Sequence, residues 1–415
     1  MSTQNDFQQV QTMQDIMLAK LQNKCGILNR ANKKFKDFPS TIIGNTNLGP
    51  TVNIYKPVRV TSANTLNWQL QGTNQIVQPL TIDFQISSAV AWTQQDMIEN
   101  VDPFDFMTKV GDSMITEIGS KFEQKLALDF VKYPYRFYVV QQNTYGELAT
   151  AAAQFQEYGA APGSIEAFIP MMTVPQIINT GSNQFTIDRN NEATRKWQLG
   201  EFAEVNWNSS NQLQIHRSGT EGTSGSTLTV VSTTKNANGA ILSMVVSGCS
   251  AANDANSIKQ YDRGYFLSST ARMLQYSGYN ESENAIQFVV ASNAASNGSS
   301  QVTITFETPL YPGESTTEAI AINQDITAGM TLKMLGSFKA GVIYSGNPHM
   351  LAMPQMGSLS PFASAYRADP ETGASIQMGW GANLGVNDSY MKLGAQQIMG
   401  STLFREYALT LIYLI

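Results

Sequence analysis

The stretch "FMTKVGDSMITEIGSKFEQKLALDF", Phe106–Phe130, decides how the rest of the chain is read. Phe106, Val110, Met114, Ile118, Phe122, Leu126 and Phe130 recur every four residues, and Met107, Ile115 and Leu128 widen the stripe. That period lays one apolar face along a helix. Opposite charges stand four apart at Asp105–Lys109, Glu117–Lys121 and Lys125–Asp129, which assigns those residues to an exposed face. Pro103 and Pro134 punctuate the two ends. Gly111 and Gly119 each cost about 1 kcal/mol relative to Ala, and mark a bend or a close contact. The helix would be roughly 40 Å long. Nothing along it resembles a catalytic or ligand site, so its purpose has to come from its surroundings.

Upstream, Phe7, Val10, Met13, Met17 and Leu21 form a second helical stripe, followed by a basic run at Arg30, Lys33, Lys34 and Lys36. This reads as a helical arm with a flexible exit at Pro39. Next, "TVNIYKPVRV" and "PLTIDFQI" alternate apolar and polar residues around a Ser/Asn/Thr/Gln-rich tip holding Leu66, Trp68 and Leu70. Two alternating arms around a polar tip predict a long β-hairpin. Pro57 makes the first arm an edge strand.

Downstream, residues 140–200 mix short helices and strands, and residues 217–313 change character. "STLTVV", "AILSMVVSG", "GYFLSS", "AIQFVVAS" and "QVTITFE" are separated by turn clusters such as Asn236-Ala237-Asn238-Gly239. Regularly spaced strands of this kind predict an inserted β-barrel or sandwich. The chain closes with "ASIQMGWGANLG" and "GSTLFREYALTLIYLI", read as two long strands.

Composition agrees with extended contact surfaces. The 415 residues allow two or three domains. Only 14% are charged, against the usual ~25%, and 42% are apolar. A net charge of −6 argues against a nucleic-acid binder that works by charge alone. Two cysteines, Cys25 and Cys249, cannot make a disulfide framework. The N-terminus has no basic start with an apolar core, so a cytosolic, reducing origin is expected. "ALTLIYLI" is too short to span a bilayer.

Chemistry is hard to find. A zinc site would need Cys25, Cys249, His216 and His349 all to converge. "GWGANLG", Gly379–Gly385, places its third glycine one position too late for a dinucleotide loop and reads as strand glycines beside a turn. No phosphate-loop or nucleophile-elbow motif occurs. Acid pairs such as Asp369/Glu371 and Asp102/Asp105 read as solvated loops. No catalytic, cofactor-binding or metal residue is assigned, and no cofactor is expected. All positive signals are architectural, and a protruding arm and hairpin need neighbours to cover them.

That order of parts resembles the major capsid proteins of tailed bacteriophages with the Hong Kong 97-type fold, most of all the phage P-twenty-two type, which carries an extra β domain. "MQDIMLAKLQNKCGILNRANKKF" resembles the family's N-terminal arm, "TVNIYKPVRVTSANTLNWQLQGTNQIVQPLTIDFQ" its E-loop, and the opening stretch its spine helix. "YDRGYFLSS" through "QVTITFETPL" resembles the closing strands of the insertion domain. "LKMLGSFKAGVIYSGNPHMLAMPQM" resembles a strand pair of the axial domain, and "ASIQMGWGANLG" and "LFREYALTLIYLI" the last strands of the peripheral sheet.

The resemblance implies an α+β fold with five parts. They are an arm at 1–45, an E-loop hairpin at 46–88, a peripheral domain at 89–130 and 366–415, an axial domain at 131–216 and 314–365, and an inserted β-barrel at 217–313. It implies a non-enzymatic shell protein forming hexamers and pentamers around double-stranded DNA, in the virion after assembly in the host bacterial cytoplasm. Its partners would be further copies of itself, scaffolding protein, a portal protein and, optionally, decoration proteins; no membrane is involved. Lys56, Arg59, Leu66, Trp68 and Leu70 would meet neighbouring subunits, and Asp15, Met17 and Leu21 would meet scaffold or a neighbour. Lys56 is the only lysine of the hairpin, and no crosslinking partner is assigned to it. The runner-up is a β-rich surface adhesin, which the Ser/Asn/Thr richness fits and the absent signal peptide does not. An enzyme with a β accessory domain is third, without a supporting motif.

Overall fold

The computed structural model describes residues 26–31, 51–56, 76–93, 112–159, 163–181, 199–276, 278–314, 319–346, 348–353, 363–368, 375–384 and 389–415. Asp15, Met17, Leu21, Arg59, Leu66, Trp68, Leu70, the pair Asp105–Lys109 and the start of the helical stretch lie outside them. The chain divides into two compact units, each built from three separate segments.

The first unit comprises Met1–Ile54, Pro79–Asp129 and His349–Thr402. Its six-stranded sheet runs in the order Thr51–Tyr55, Val77–Thr93, Ser389–Leu403, Ser375–Leu384, Ala363–Ala368, with His349–Ala352 also paired to Ser389–Leu403. The predicted edge position of the first hairpin arm is found: Thr51–Tyr55 is the outermost strand. The alternation in Leu80 to Ile86 is also found, with Thr81, Asp83 and Gln85 exposed and Leu80, Ile82, Phe84 and Ile86 turned inward. A bulge between Ile82 and Phe84 shifts the register against Ser389–Leu403. Gly400 faces it, because a Cβ there would lie 2.6 Å from the Thr81 carbonyl oxygen.

The opening stretch is a helix over Asp112–Lys132. Met114, Ile115, Ile118, Phe122 and Leu126 are buried, and Phe122 meets Phe84 of the sheet edge-to-face at 6.4 Å. The Glu117–Lys121 pair lies on the exposed face as expected. The Lys125–Asp129 pair does not. Lys125 reaches across to Asp83 at 2.9 Å, and Asp129 is buried against His349. Spacing by four tells which side chains are neighbours on a helix, but not which face the sheet covers.

The second unit comprises Tyr55–Gln78, Phe130–Pro348 and Leu403–Ile415 and holds two sheets. The seven-stranded sheet runs Arg136–Val140, Ala408–Leu414, Phe338–Ser345, Ile165–Pro170, Val205–Ser210, Gly200–Phe202, with Ile215–His216 also paired to Phe338–Ser345. The helix Tyr145–Glu157 covers one face through Leu148, Ala151, Ala152 and Phe155, packed with Ile343, Leu409 and Leu411. Phe137, Phe338, Ala340 and Ile412 form a core on the other face. A strand buried on both sides has no reason to alternate, which accounts for the nearly continuous apolar run of Ala408–Leu414, interrupted by Thr410 alone.

The second sheet has nine strands, in the order Glu281–Ala285, Arg272–Leu274, Ile320–Ile322, Gln301–Pro312, Ile241–Ser247, Thr227–Lys235, Thr331–Met334, Arg263–Phe266, Gln287–Val289. An antiparallel bridge from Val290 to Phe306 returns the last of these to Gln301–Pro312. Six strands therefore close into a barrel around Leu228, Met244, Phe288, Ile304 and Leu332. Gly264 leaves room for the Phe288 ring of the paired strand, since a Cβ there would lie 2.4 Å from it.

Three expectations change here. The inserted sheet does not end at 313, because Ile320–Ile322 and Thr331–Met334 belong to it. "LKMLGSFKAGVIYSGNPHMLAMPQM" is not an axial strand pair but supplies strands to all three sheets. The final stretch is not one peripheral strand either. It breaks at the 3-10 turn Arg405–Tyr407, and Ala408–Leu414 enters the seven-stranded sheet between Arg136–Val140 and Phe338–Ser345.

Candidate functional site

The hairpin is anchored at its root. Lys56 N–H donates to the Ile76 carbonyl at 2.9 Å, and the hydroxyls of Thr51 and Thr81 are 3.2 Å apart. Both pairings share one antiparallel register. Lys56, expected to face a neighbour, is 6% exposed and its ammonium sits 3.2 Å from Glu406 of the same chain, over the Phe404 ring. It is thus an intramolecular anchor. Tyr55 beside it is 61% exposed, so the root presents an aromatic ring where the sequence reading placed a cation.

On the long helix, the Glu123 carboxylate accepts the backbone N–H groups of Ile27 and Leu28 at 3.2 and 2.9 Å. These belong to the short helix Gly26–Arg30, whose first N–H groups have no partner within the helix. Burial raises the Glu123 pKa above the ordinary carboxylate value, and the two N–H groups oppose that only in part. The sign follows. Below the unfolded carboxylate pKa both states hold the proton; as pH rises, the unfolded chain ionises first, and Glu123's contribution to stability is lost through the raised folded pKa. Glu123→Gln cannot titrate, so the fall in unfolding free energy between pH 5 and pH 7 will be smaller in the variant. Denaturant titrations at the two pH values measure it, and equal falls would exclude Glu123 as a source.

The barrel is joined to the seven-stranded sheet by buried polar groups. Arg263 is completely buried, and its guanidinium donates to the carbonyls of Pro134 and Val131 at 2.7 and 2.8 Å and of Phe130 at 3.4 Å. It therefore caps the C-terminal end of the long helix, where carbonyls lack helical partners and the helix dipole favours a cation. Burial without a carboxylate lowers its pKa to about 9. Gln287 imitates a strand. Its side chain accepts from Phe137 N–H at 2.7 Å and donates to the Phe137 carbonyl at 2.9 Å. The His216 ring meets Asp262 at 2.7 Å, and Asp262 also accepts Gly219 N–H and Lys259 N–H at 3.1 and 2.8 Å. Arg405 reaches Glu307 and Thr308 of the barrel at 2.9 and 2.8 Å.

These groups hold; none is placed to react. The acids Glu123, Asp129, Glu221 and Asp262 are each spent on backbone N–H groups, hydroxyls or a histidine. Among the described residues no group of three His, Cys, Asp or Glu side chains could hold a metal ion. Cys249 is buried, and burial together with Glu221 pushes its thiol pKa up. The glycines Gly379 and Gly381 of the dinucleotide-like run lie in the strand Ser375–Leu384. Arg263 and Gln287 carried no sequence signal, since each is one polar residue in a short strand whose partner lies more than a hundred residues away.

No family model matches the chain, and no curated protein matches it. Solved structures to which it is similar include several from phages. One, from Mycobacterium phage Che8, is 8% identical, with 93% of this chain and 90% of that chain covered and a TM-score of 0.45. The capsid of Ralstonia phage GP4 is 6% identical over 89% and 84% of the two chains, with a TM-score of 0.44. The capsid of Cyanophage P-SCSP1u is 11% identical over 88% and 84%, with a TM-score of 0.41.

Proposed function

We propose that this chain is the major capsid protein of a tailed bacteriophage, self-assembling as hexamers and pentamers into an icosahedral shell around double-stranded DNA. One observation carries the reading: the order in which the chain visits its parts. It enters a sheet by a hairpin, runs along a helix packed on that sheet, builds a second sheet interrupted by a barrel, and returns to complete both sheets. That order of parts supports the capsid reading.

In this reading scaffolding protein guides assembly, a portal occupies one vertex, and decoration proteins are optional. Packaged DNA is held without sequence specificity, as a coat of net charge −6 would not clamp it. Weakly charged contact surfaces form and rearrange without large desolvation costs. Asp15, Met17 and Leu21 serve scaffold or neighbour contacts; Arg59, Leu66, Trp68 and Leu70 serve subunit contacts. The adhesin reading gains no observation of its own.

The test is the mass of the purified protein together with one variant. Wild-type protein is expected as capsomers or shell-sized particles. Replacing Leu66, Trp68 and Leu70 by Ser together is expected to leave a folded subunit that does not close stable shells. A wild-type monomer at every concentration would overturn the capsid reading. Normal shells from the triple variant would remove only the hairpin's role.

A further inference from the structure

Among the described residues Arg136–Val140 is the last strand of its sheet, paired in parallel with Ala408–Leu414 on one side only. Along such a strand, alternate residues turn both backbone groups toward the partner and the residues between turn theirs away. Phe137 turns outward, since both its groups are held by Gln287. Gln141 also turns outward, its N–H held by Glu147 at 2.6 Å. Val139 lies between them in the same row, so its N–H and C=O turn outward as well, and Val139 lines a cavity of 530 Å³.

The cavity's other walls are informative. Leu414 and Ile415 line it and are 53% and 67% exposed. Lys333 lines it too, its ammonium over Gly225, 3.9 Å from where a Cβ on that residue would be. Among the described residues the Lys333 ammonium makes no ion pair or hydrogen bond. One outward donor–acceptor pair, a cation and an apolar rim are thus gathered in a space within the ~300–1,000 Å³ range of ligand pockets.

We propose that this cavity is a docking slot for a short extended peptide bearing a carboxylate, which adds to the sheet at Val139 and pairs its acid with Lys333. A peptide backbone offers an acceptor and a donor at strand spacing to match Val139, as the Gln287 amide does at Phe137. Its flanking apolar side chains cover Leu414 and Ile415. The slot lies within the second unit and does not depend on shell formation.

The probe is acetyl-Thr-Val-Glu-Val-Thr-amide, titrated into the purified full chain by calorimetry. Saturable binding is expected, weakened about tenfold or more when the central Glu becomes Lys, as a charge-assisted hydrogen bond is worth ~1.5–3 kcal/mol. Lys333→Glu should reverse that preference while leaving the melting temperature unchanged, because Lys333 is partly exposed. N-methylation of the central amide should abolish binding. Absence of saturable binding at millimolar peptide would overturn the proposal. So would an affinity indifferent to both the charge exchange and the N-methylation.

Discussion

A fragment spanning residues 215–315 will fail to fold, and one spanning 215–337 will fold. Composition and strand spacing place the end of the inserted domain near 313, but the barrel disagrees. Thr331–Met334 sits inside it, between Thr227–Lys235 and Arg263–Phe266. Removing it opens the wall and leaves Leu332 and Met334, both fully buried, without replacement. Each such side chain contributes about 1.5–3 kcal/mol, and two strands also lose their ladders. A small domain has only ~5–15 kcal/mol of net stability to lose. The longer fragment also keeps the contact that joins its ends, Ser218 N–H to Ser337 Oγ at 3.1 Å. Circular dichroism with thermal melts of both fragments measures this. A cooperative β-type melt from the short fragment would refute it.

Arg263→Ala is expected to cost about 3–5 kcal/mol, because it strips the donors from three buried carbonyls and leaves a cavity. For a unit of this size that lowers the midpoint of thermal unfolding by roughly 10 °C. Arg263→Lys should recover only part, as an ammonium cannot span the carbonyls of Phe130, Val131 and Pro134 as the planar fork does. Calorimetry of the three proteins decides it. A shift as small as that of an ordinary surface substitution would show that water replaces the guanidinium at little cost.

The parts legible in the sequence are those with a local period. The helix appeared because Met114, Ile118, Phe122 and Leu126 repeat at helical spacing, and the hairpin root because Leu80 to Ile86 alternates. What escaped depends on pairings that no local period encodes. Thr331–Met334 is four residues long and finds its partners in strands that start at Thr227 and Arg263. The buried pairing of Asp129 with His349 spans 220 positions. The spacing of Asp129 from Lys125 pointed the other way. Lys56 looked like a contact for a neighbour because the Glu406 that holds it is 350 positions distant. The nearly unbroken apolar run in Ala408–Leu414 did carry a signal, since a strand apolar on both faces belongs inside a sheet and not at its margin.

The position of that strand sets a timetable for synthesis. Residues Ala408–Leu414 lie between Arg136–Val140 and Phe338–Ser345, so those two strands have no common neighbour until that strand has been made. The barrel needs nothing beyond Met334 for its strands. At ~5–20 residues per second, the interval between the two events is several seconds or more. During it the ribosome carries a finished barrel beside two hydrophobic strands that cannot yet pair through the missing one. Premature association of nascent chains is the hazard of that interval, because Gln287 of the early barrel occupies the outward edge of Arg136–Val140 at Phe137 and leaves open the edge that awaits Ala408–Leu414.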